Sequence, residues 1–302
     1  MNSFCFQCEQ TYQGTGCTAI GMCGKDQESS VLQDLIGYAC KGLAQYAHRA
    51  RQLGVVDKET DEFMVEAMFT TLTNVNFDPE RLGGMVDAVV ESRDKLKGLY
   101  EEAARAAGQE PEVVGGPATF VPAEDLEDMI QQGEAIGLLK RRDATNKDIF
   151  SLQELVFYGL KGLAAYAFHA QVFGKTDPAV YAFVYEALNA LTEDKTVEEL
   201  TGLALKTGEV NLTVMALLDG ANTGAYGHPV PTTFRVTPVK GKCILVSGHD
   251  YKDLKALLEQ TEGKGINVYT HGEMLPALAY PGLKKHSHLV GNYGGAWQDQ
   301  RK

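Results

Sequence analysis

The sequence predicts a multi-domain α + α/β protein, in which an N-terminal all-α domain of two duplicated helical bundles precedes the start of a Rossmann-like parallel α/β domain. Three observations predict it. A 24-residue segment recurs once at a fixed offset of 120 positions, both copies carry apolar residues at helical spacing, and a strand–helix–strand pattern begins only near residue 243.

The repeat aligns residues 31–54, VLQDLIGYACKGLAQYAHRARQLG, with residues 151–174, SLQELVFYGLKGLAAYAFHAQVFG, and 12 of the 24 positions are identical. The register continues without a gap to Phe63/Phe183 and to Glu66-Ala67/Glu186-Ala187. One pair of copies is too few for a solenoid and reads as a duplicated module. Leu32, Leu35, Ile36, Ala39, Leu43, Tyr46, Ala47 and Ala50 recur at three- and four-residue steps, the stripe of an amphipathic helix. Ser30 and Ser151 are candidate N-caps, and Gly54 and Gly174 candidate ends. Second helices are expected over 59–73 and 178–192, with further helical patterns over 79–107 and 197–219. Pro111, Pro117, Pro122 and Gly115-Gly116 make 108–123 read as a linker.

From Gly220 the character changes. A cluster of glycines and prolines precedes Cys243-Ile244-Leu245-Val246-Ser247, an apolar run suited to a buried strand. A helix over 250–261, a second strand over 266–270 and a third beginning at Leu289-Val290 complete the pattern of a parallel sheet. The expected organisation is a cysteine loop over 1–30, a first bundle over 31–107, the linker, a second bundle over 124–219 and a partial α/β domain over 220–302.

Composition narrows the function classes. A formal charge of −12 argues against a nucleic-acid partner, because neutralising phosphates takes a basic patch. No apolar run approaches bilayer length, and the N-terminus lacks the basic and apolar segments of a secretory leader, so a cytoplasmic, non-membrane protein is expected. Four of the six cysteines, Cys5, Cys8, Cys17 and Cys23, crowd into one short stretch spaced C-x2-C-x8-C-x5-C. A disulfide framework suits small secreted domains, so a metal site in a reduced compartment is the better reading. Four thiolates suit an iron–sulfur cluster or tetrahedral zinc, and redox-active or structural cysteines remain a third reading. Gly14, Gly16, Gly21 and Gly24 would let backbone N–H groups approach the sulfurs, and Phe4 and Phe6 would shield a cluster from water.

A second constellation lies at the ends of the first two strands. Parallel neighbours bring their C-terminal ends to one sheet edge, where α/β proteins bind ligands, so His249 and Glu273 can face one site. Imidazole and carboxylate are both competent iron ligands, although a histidine after a strand more often caps a helix or holds a hydrogen bond. Elsewhere the bland readings prevail. Cys40 reads as a core residue, Tyr38, Tyr46, Tyr158 and Tyr166 as packing, His286 and His288 as solvated, and Lys41 and Lys161, at matching helix positions, as surface residues, with a channel between the bundles as the alternative.

Phe4-Cys5-Phe6-Gln7-Cys8-Glu9-Gln10-Thr11, with Gly16-Cys17-Thr18 and Gly21-Met22-Cys23-Gly24-Lys25, resembles the N-terminal signature of the hybrid-cluster proteins, also called the prismane or hydroxylamine reductase family. The similarity runs through the whole chain, including the repeat and the Gly-rich boundary. It implies a [4Fe–4S] cluster on Cys5, Cys8, Cys17 and Cys23, and a helical domain followed by two α/β domains. Ser247-Gly248-His249-Asp250 and the segment YTHGEMLP over 269–276 are similar to those supplying the His and one Glu of the hybrid [4Fe-2O-2S] cluster. By that resemblance His249 and Glu273 are ligands and catalytic residues, while the role of His271 stays open and Asn292 and Gly294-Gly295 receive none. The activity implied is reduction of hydroxylamine to ammonia and water, or nitric oxide chemistry, with electrons from a redox donor. The family's further four cysteines and second Glu have no counterpart here, since no cysteine follows Cys243. The chain is therefore expected to be a fragment or half of a split protein, inactive alone. The rival classes are a non-catalytic [4Fe–4S] electron-transfer or interaction domain and a zinc-stabilised helical scaffold.

Overall fold

The computed structural model describes residues 4–72 and 75–295. Met1–Ser3, the predicted helix end at Thr73 and the Ala296-Trp297 close of the VGNYGGAW segment lie outside the described residues. Two compact units form, one of Met1–Gln171 with Thr176–Met215 and one of Val172–Lys175 with Ala216–Lys302. The first copy of the sequence repeat falls wholly in the first unit, and the second does so up to Gln171.

The first unit is helical throughout: α1 (Gln27–Gln52), α2 (Lys58–Thr70), α3 (Pro79–Ala106), α4 (Leu126–Ile136), α5 (Leu138–Ala144), α6 (Lys147–Gln171), α7 (Pro178–Ala190) and the first part of α8 (Val197–Tyr226). The repeated segment lies on α1 and α6, and the apolar stripe read from the sequence is buried, with Leu32, Leu35, Ile36, Leu43 and Ala50 at 0% exposure. The helix starts differ from the expectation. Asp26, not Ser30, caps α1 by accepting the Ser29 N–H at 2.7 Å. Ser30 lies inside the helix, and its hydroxyl donates to the Phe4 carbonyl at 3.3 Å. Ser151 likewise lies within α6 and bonds back to the Lys147 carbonyl at 2.7 Å. A carboxylate one turn earlier can also complement the helix dipole, which a serine cannot. Gly54 and Gly174 do end their helices, at φ of 79° and 71°, where a β-carbon is unfavourable.

α1 packs against α3 and α7, and α2 packs against α6. The Pro- and Gly-rich segment between α3 and α4 is seated on α1. Its 3₁₀ turn, Gly116–Thr119, gives the Ala118 N–H to Gln45 Oε1 at 3.0 Å, and Phe120 meets Tyr38 edge-on at 5.7 Å. The close approach is possible because position 42 is glycine: a β-carbon there would stand 2.3 Å from the Pro117 carbonyl oxygen. Its counterpart in the repeat, Gly162, has nothing within 4 Å. Gly42→Ala is therefore expected to destabilise by about 1–3 kcal/mol through overpacking against backbone. Gly162→Ala should instead gain about 0.5–1 kcal/mol from reduced chain entropy. Urea midpoints of the two variants check the contrast, and equal effects would contradict it.

The second unit holds the end of α8, then β1 (Lys242–Val246), α9 (Tyr251–Thr261), β2 (Ile266–Thr270), a 3₁₀ helix (Gly272–Leu278), α10 (Pro281–Lys284) and β3 (Leu289–Asn292). The strands form a parallel sheet in the order β1-β2-β3. α8 runs seven residues past the expected helix end at 219. The core gathers Tyr226, Leu254, Leu258, Val268, Met274, Leu278, Leu283 and Leu289. β1 is an edge strand, and contrary to the buried strand expected, Cys243 is exposed and Leu245 is 52% exposed. An apolar run fixes a strand without fixing what covers it. His286, expected in solvent, is 6% exposed and meets His288 edge-on at 5.9 Å, while His288 Nε2 lies 3.0 Å from the Thr261 hydroxyl.

Candidate metal centre

The cysteine loop is tied into a small frame by its own backbone. Cys5 and Cys17 form an antiparallel bridge, with the Phe4 N–H donating to the Cys17 carbonyl and the Cys17 N–H to the Cys5 carbonyl, both at 2.8 Å. The Thr11 N–H donates to the Cys8 carbonyl at 3.1 Å, and the Gly21 N–H to the Lys25 carbonyl at 2.7 Å. Gly24, at φ of 95°, makes the last turn, and its N–H returns to the Gly21 carbonyl at 2.8 Å. The loop is fastened below by the Ser30 hydroxyl on Phe4 and by the Gln7 amide on the Thr71 carbonyl at 3.3 Å.

All four thiols are free, and Cys17 is buried. Backbone N–H groups act on three of the sulfurs. The Gln7 N–H donates to the Cys5 sulfur and the Gln10 N–H to the Cys8 sulfur, each two residues on, while Tyr12 and Met22 donate to the Cys17 sulfur. The Thr11 hydroxyl stands 3.6 Å from the same sulfur. The glycines supply turns, and at Gly21 the tightness is steric: a β-carbon would stand 3.0 Å from Cys23 Sγ.

The thiols differ electrostatically. Burial pushes Cys5 and Cys8 up, opposed at Cys5 by the Lys25 ammonium and at Cys8 by the Gln10 N–H. The Cys5, Cys23 and Cys17 thiolates raise Cys8 further, so the four sulfurs share one electrostatic neighbourhood. At Cys17 burial also pushes upward, but the Tyr12 and Met22 N–H groups, the Thr11 hydroxyl and Lys25 outweigh it, and the pKa falls below the ordinary thiol value. Among the described residues no three His, Cys, Asp or Glu side chains stand close enough to hold a single metal ion. Free thiols with N–H groups aimed at the sulfurs are the donor chemistry that suits thiolate-held iron, where such bonds tune the metal.

At the edge of the second unit's sheet, Val246 pairs with Thr270, and His249 and Glu273 each lie three residues further on. His249 Nε2 and Glu273 Oε2 meet in direct contact, both side chains being more than half exposed. Two features hold the loops. Gly248 takes φ of 121° and Gly272 φ of 52°. Asp250 then caps α9, accepting the Lys252 and Asp253 N–H groups at 2.7 and 2.9 Å. His271 is not part of the pair. It is 3% exposed, its N–H donates to the Val246 carbonyl at 2.8 Å, and its Nδ1 lies 3.1 Å from the Ser247 hydroxyl, so it stitches the two loops together. Asn292 sits 2.8 Å from the Thr270 hydroxyl and braces the neighbouring strand end.

The sequence reading missed the charges beneath the cysteine loop. Lys25 is 2% exposed and donates to Gln33 Oε1 at 2.6 Å. Lys41 and Lys161, expected at the surface, are 8% and 2% exposed. Both lie 4.8 Å from the Phe157 ring centre, a ring that fits against Gly37 because a β-carbon there would stand 2.5 Å from it. Asp34 accepts the Leu138 N–H at 3.0 Å, and Glu154, also buried, pairs with Arg141 at 2.6 Å. Desolvation depresses Lys41 to about 7 and Lys161 to about 8. A signal was present: each repeat copy carries an acid and, seven residues later, a lysine (Asp34/Lys41 and Glu154/Lys161), two turns apart on one helix face.

Comparison with known proteins follows the same lines. Residues 3–302 match the Prismane/CO dehydrogenase family. A hydroxylamine reductase of Syntrophobacter fumaroxidans is 55% identical over 300 residues, covering 99% of this chain and 54% of that protein. Hydroxylamine reductases of Rhodospirillum rubrum and Methanocella arvoryzae are each 52% identical, over 99% and 98% of this chain and 54% of theirs. The chain spans about half the length of the curated relatives it matches. A solved carbon monoxide dehydrogenase of Thermococcus sp. AM4 covers 98% of this chain at 14% identity and a TM-score of 0.31, too distant to inform the site. Among the described residues no helix is long and apolar enough to cross a membrane.

Proposed function

This chain belongs to the Prismane/CO dehydrogenase family, and on that premise we propose that it forms part of an iron–sulfur oxidoreductase of the hydroxylamine-reductase type. In this reading Cys5, Cys8, Cys17 and Cys23 hold a [4Fe–4S] cluster through which electrons enter from a redox donor. The observation that carries it is the donor set itself: four free thiols on one loop, with the N–H groups of Gln7, Gln10, Tyr12 and Met22 acting on the Cys5, Cys8 and Cys17 sulfurs.

His249 and Glu273 are then two ligands of a hybrid [4Fe-2O-2S] centre, which supplies Lewis acidity and electrons for a bound nitrogen species. Their direct contact supports this, since it brings one imidazole nitrogen and one carboxylate oxygen to the same place. His271 orients the loop that carries His249 through Ser247, and the buried Thr270 and Asn292 hold the strand ends that set the spacing. Hydroxylamine takes two electrons and two protons to give ammonia and water, and nitric oxide is the second nitrogen substrate the reading admits. The remaining ligands of that centre are not among these 302 residues, so turnover requires them from further sequence or a second chain. A cytoplasmic setting fits reduced thiols.

Anaerobic reconstitution with iron and sulfide tests the first half. About four irons with matching acid-labile sulfide per chain are expected. Stoichiometric zinc without sulfide would replace this reading by a zinc-stabilised scaffold. His249→Ala and Glu273→Ala should leave that iron content unchanged, because neither belongs to the cysteine loop; loss of the iron in either variant would contradict the division into two centres.

A further inference from the structure

Under the cysteine loop the first unit buries three lysines, Lys25, Lys41 and Lys161, with the partly exposed Arg141 beside them, against two carboxylates, Asp34 and Glu154. Burial of ammonium groups costs solvation, so an excess of them in a core calls for a reason beyond packing. The arrangement points upward toward the thiols. Lys161 Nζ lies 5.5 Å from the centre of the Tyr158 ring, and Tyr158 meets Phe6 edge-on at 6.0 Å. Phe6 is the neighbour of Cys5 and also meets Phe150, over which the Arg141 guanidinium stands at 5.8 Å. α6 thus supports the loop through aromatic rings and places a charge directly behind them.

That charge reaches the thiols. Lys25 is the cation that acts most on Cys5; behind it Lys161 and Cys5 act on one another, and Asp34 acts on both with the opposite sign. The groups acting most on Lys41 are instead Arg141, Glu154, Asp34 and Lys161. Buried charges are little screened by salt, so the effect persists at physiological ionic strength. A cluster on these cysteines gains one negative charge when it accepts an electron, and a nearby cation favours that state while a nearby anion opposes it.

We propose that Lys161 and Asp34 are positioning residues for electron entry, the buried ammonium of Lys161 raising the reduction potential of the cluster on Cys5, Cys8, Cys17 and Cys23 and the carboxylate of Asp34 lowering it. The inference rests on the iron–sulfur reading of the cysteines. It goes beyond that reading by assigning the cluster's potential to a pair of residues drawn from the two copies of the repeat, the lysine of the second (Lys161, matching Lys41) and the acid of the first (Asp34, matching Glu154).

The test is a one-electron redox titration of the anaerobically reconstituted chain at pH 7, followed by electron paramagnetic resonance, after iron and sulfide have been counted. Those counts judge the cluster reading; the potential judges this one. With iron retained, Lys161→Met should lower the potential by about the equivalent of a tenfold change in the reduction equilibrium, roughly 59 mV for one electron. Lys161→Arg should restore it, and Asp34→Asn should shift it upward. Lys41→Met should move it by less than half as much as Lys161→Met. A merely structural role would not give shifts of opposite sign. An iron-replete Lys161→Met protein with the parent's potential overturns the proposal, as does an equal shift in Lys41→Met. If Lys161→Met fails to fold or to take up iron, Asp34→Asn decides, and an iron-replete Asp34→Asn protein whose potential does not rise overturns it equally.

Discussion

Serine at Cys17 is expected to strip the protein of its iron. Cys17 is buried, at 4% exposure, and its pKa falls below the ordinary thiol value. It is also the hinge of the loop, exchanging backbone hydrogen bonds with Phe4 and Cys5 on one side while its sulfur collects N–H groups from Tyr12 and Met22. Serine keeps the backbone bonds but offers a hydroxyl of far higher pKa, which holds iron poorly at neutral pH. Iron and sulfide after reconstitution should fall below roughly a fifth of the parent's. Helix content by circular dichroism should hold, because α1, α3 and α7 pack on their own apolar faces. Cys40→Ser is the control. Cys40 is 0% exposed within α1 and burial pushes its thiol up to about 12, so its serine variant should keep its iron while losing about 1–3 kcal/mol of stability to a buried hydroxyl. Full iron occupancy in Cys17→Ser would remove the basis of the cluster reading.

Stability should rise with pH between about 7 and 9, against the usual behaviour of a protein with salt-bridged lysines. Lys41 and Lys161 are depressed to about 7 and about 8 by desolvation, whereas in the unfolded chain both titrate near 10.4. Below those folded values both states hold the protons and the cost of buried charge is fully present. Between them and the unfolded value the unfolded chain binds more protons, so the free energy of unfolding increases with pH. Across pH 7–9 the two lysines together contribute about 2–4 kcal/mol. The lysine gain ends near their unfolded value of about 10.4, and beyond it the curve should turn over. Cys40, Tyr181 and Tyr226 are held protonated up to about 12 by burial, and the stability they contribute is lost as pH rises from their unfolded values toward the folded ones. Urea midpoints measured from pH 6 to 10 check the profile. In the double variant Lys41→Met/Lys161→Met the rise should flatten; a rise of undiminished size would show that other groups carry it.

Much of this was legible before any coordinates. The repeat and its helical period located α1 and α6, and the strand–helix–strand pattern located the sheet, because apolar spacing is set by the same geometry that buries it. Terminal glycines marked the helix ends correctly. The starts were misread because Ser30 and Asp26 are both competent caps, and the choice falls to whichever one turns the chain into the loop above. Cys5, Cys8, Cys17 and Cys23 were visible from spacing, as was the approach of His249 to Glu273 from parallel pairing. The donors to the sulfurs were not, since a backbone N–H carries no residue signature. Lys41 and Lys161 were hidden for a different reason. Lysine is so seldom enclosed that a single one reads as solvated, and only the doubled acid–lysine spacing distinguishes them. The burial of Tyr46 agrees with its reading as a packing residue, while Tyr166, its partner in the repeat, is 40% exposed.

The parallel ladder between β1 and β2 keeps Val246 level with Thr270, and the imidazole and carboxylate beyond them meet because each follows by the same count of three. Their encounter is thus a matter of arithmetic along two backbones more than of what the intervening residues are. Conservative exchanges in either connecting turn leave the tally intact, whereas lengthening just one of them by a single residue puts the two side chains out of step. The two turns are therefore intolerant in length, while Gly248 and Gly272 at positive φ and the Ser247–His271 contact also restrict their composition, and any change of length at this sheet edge has to alter both or neither.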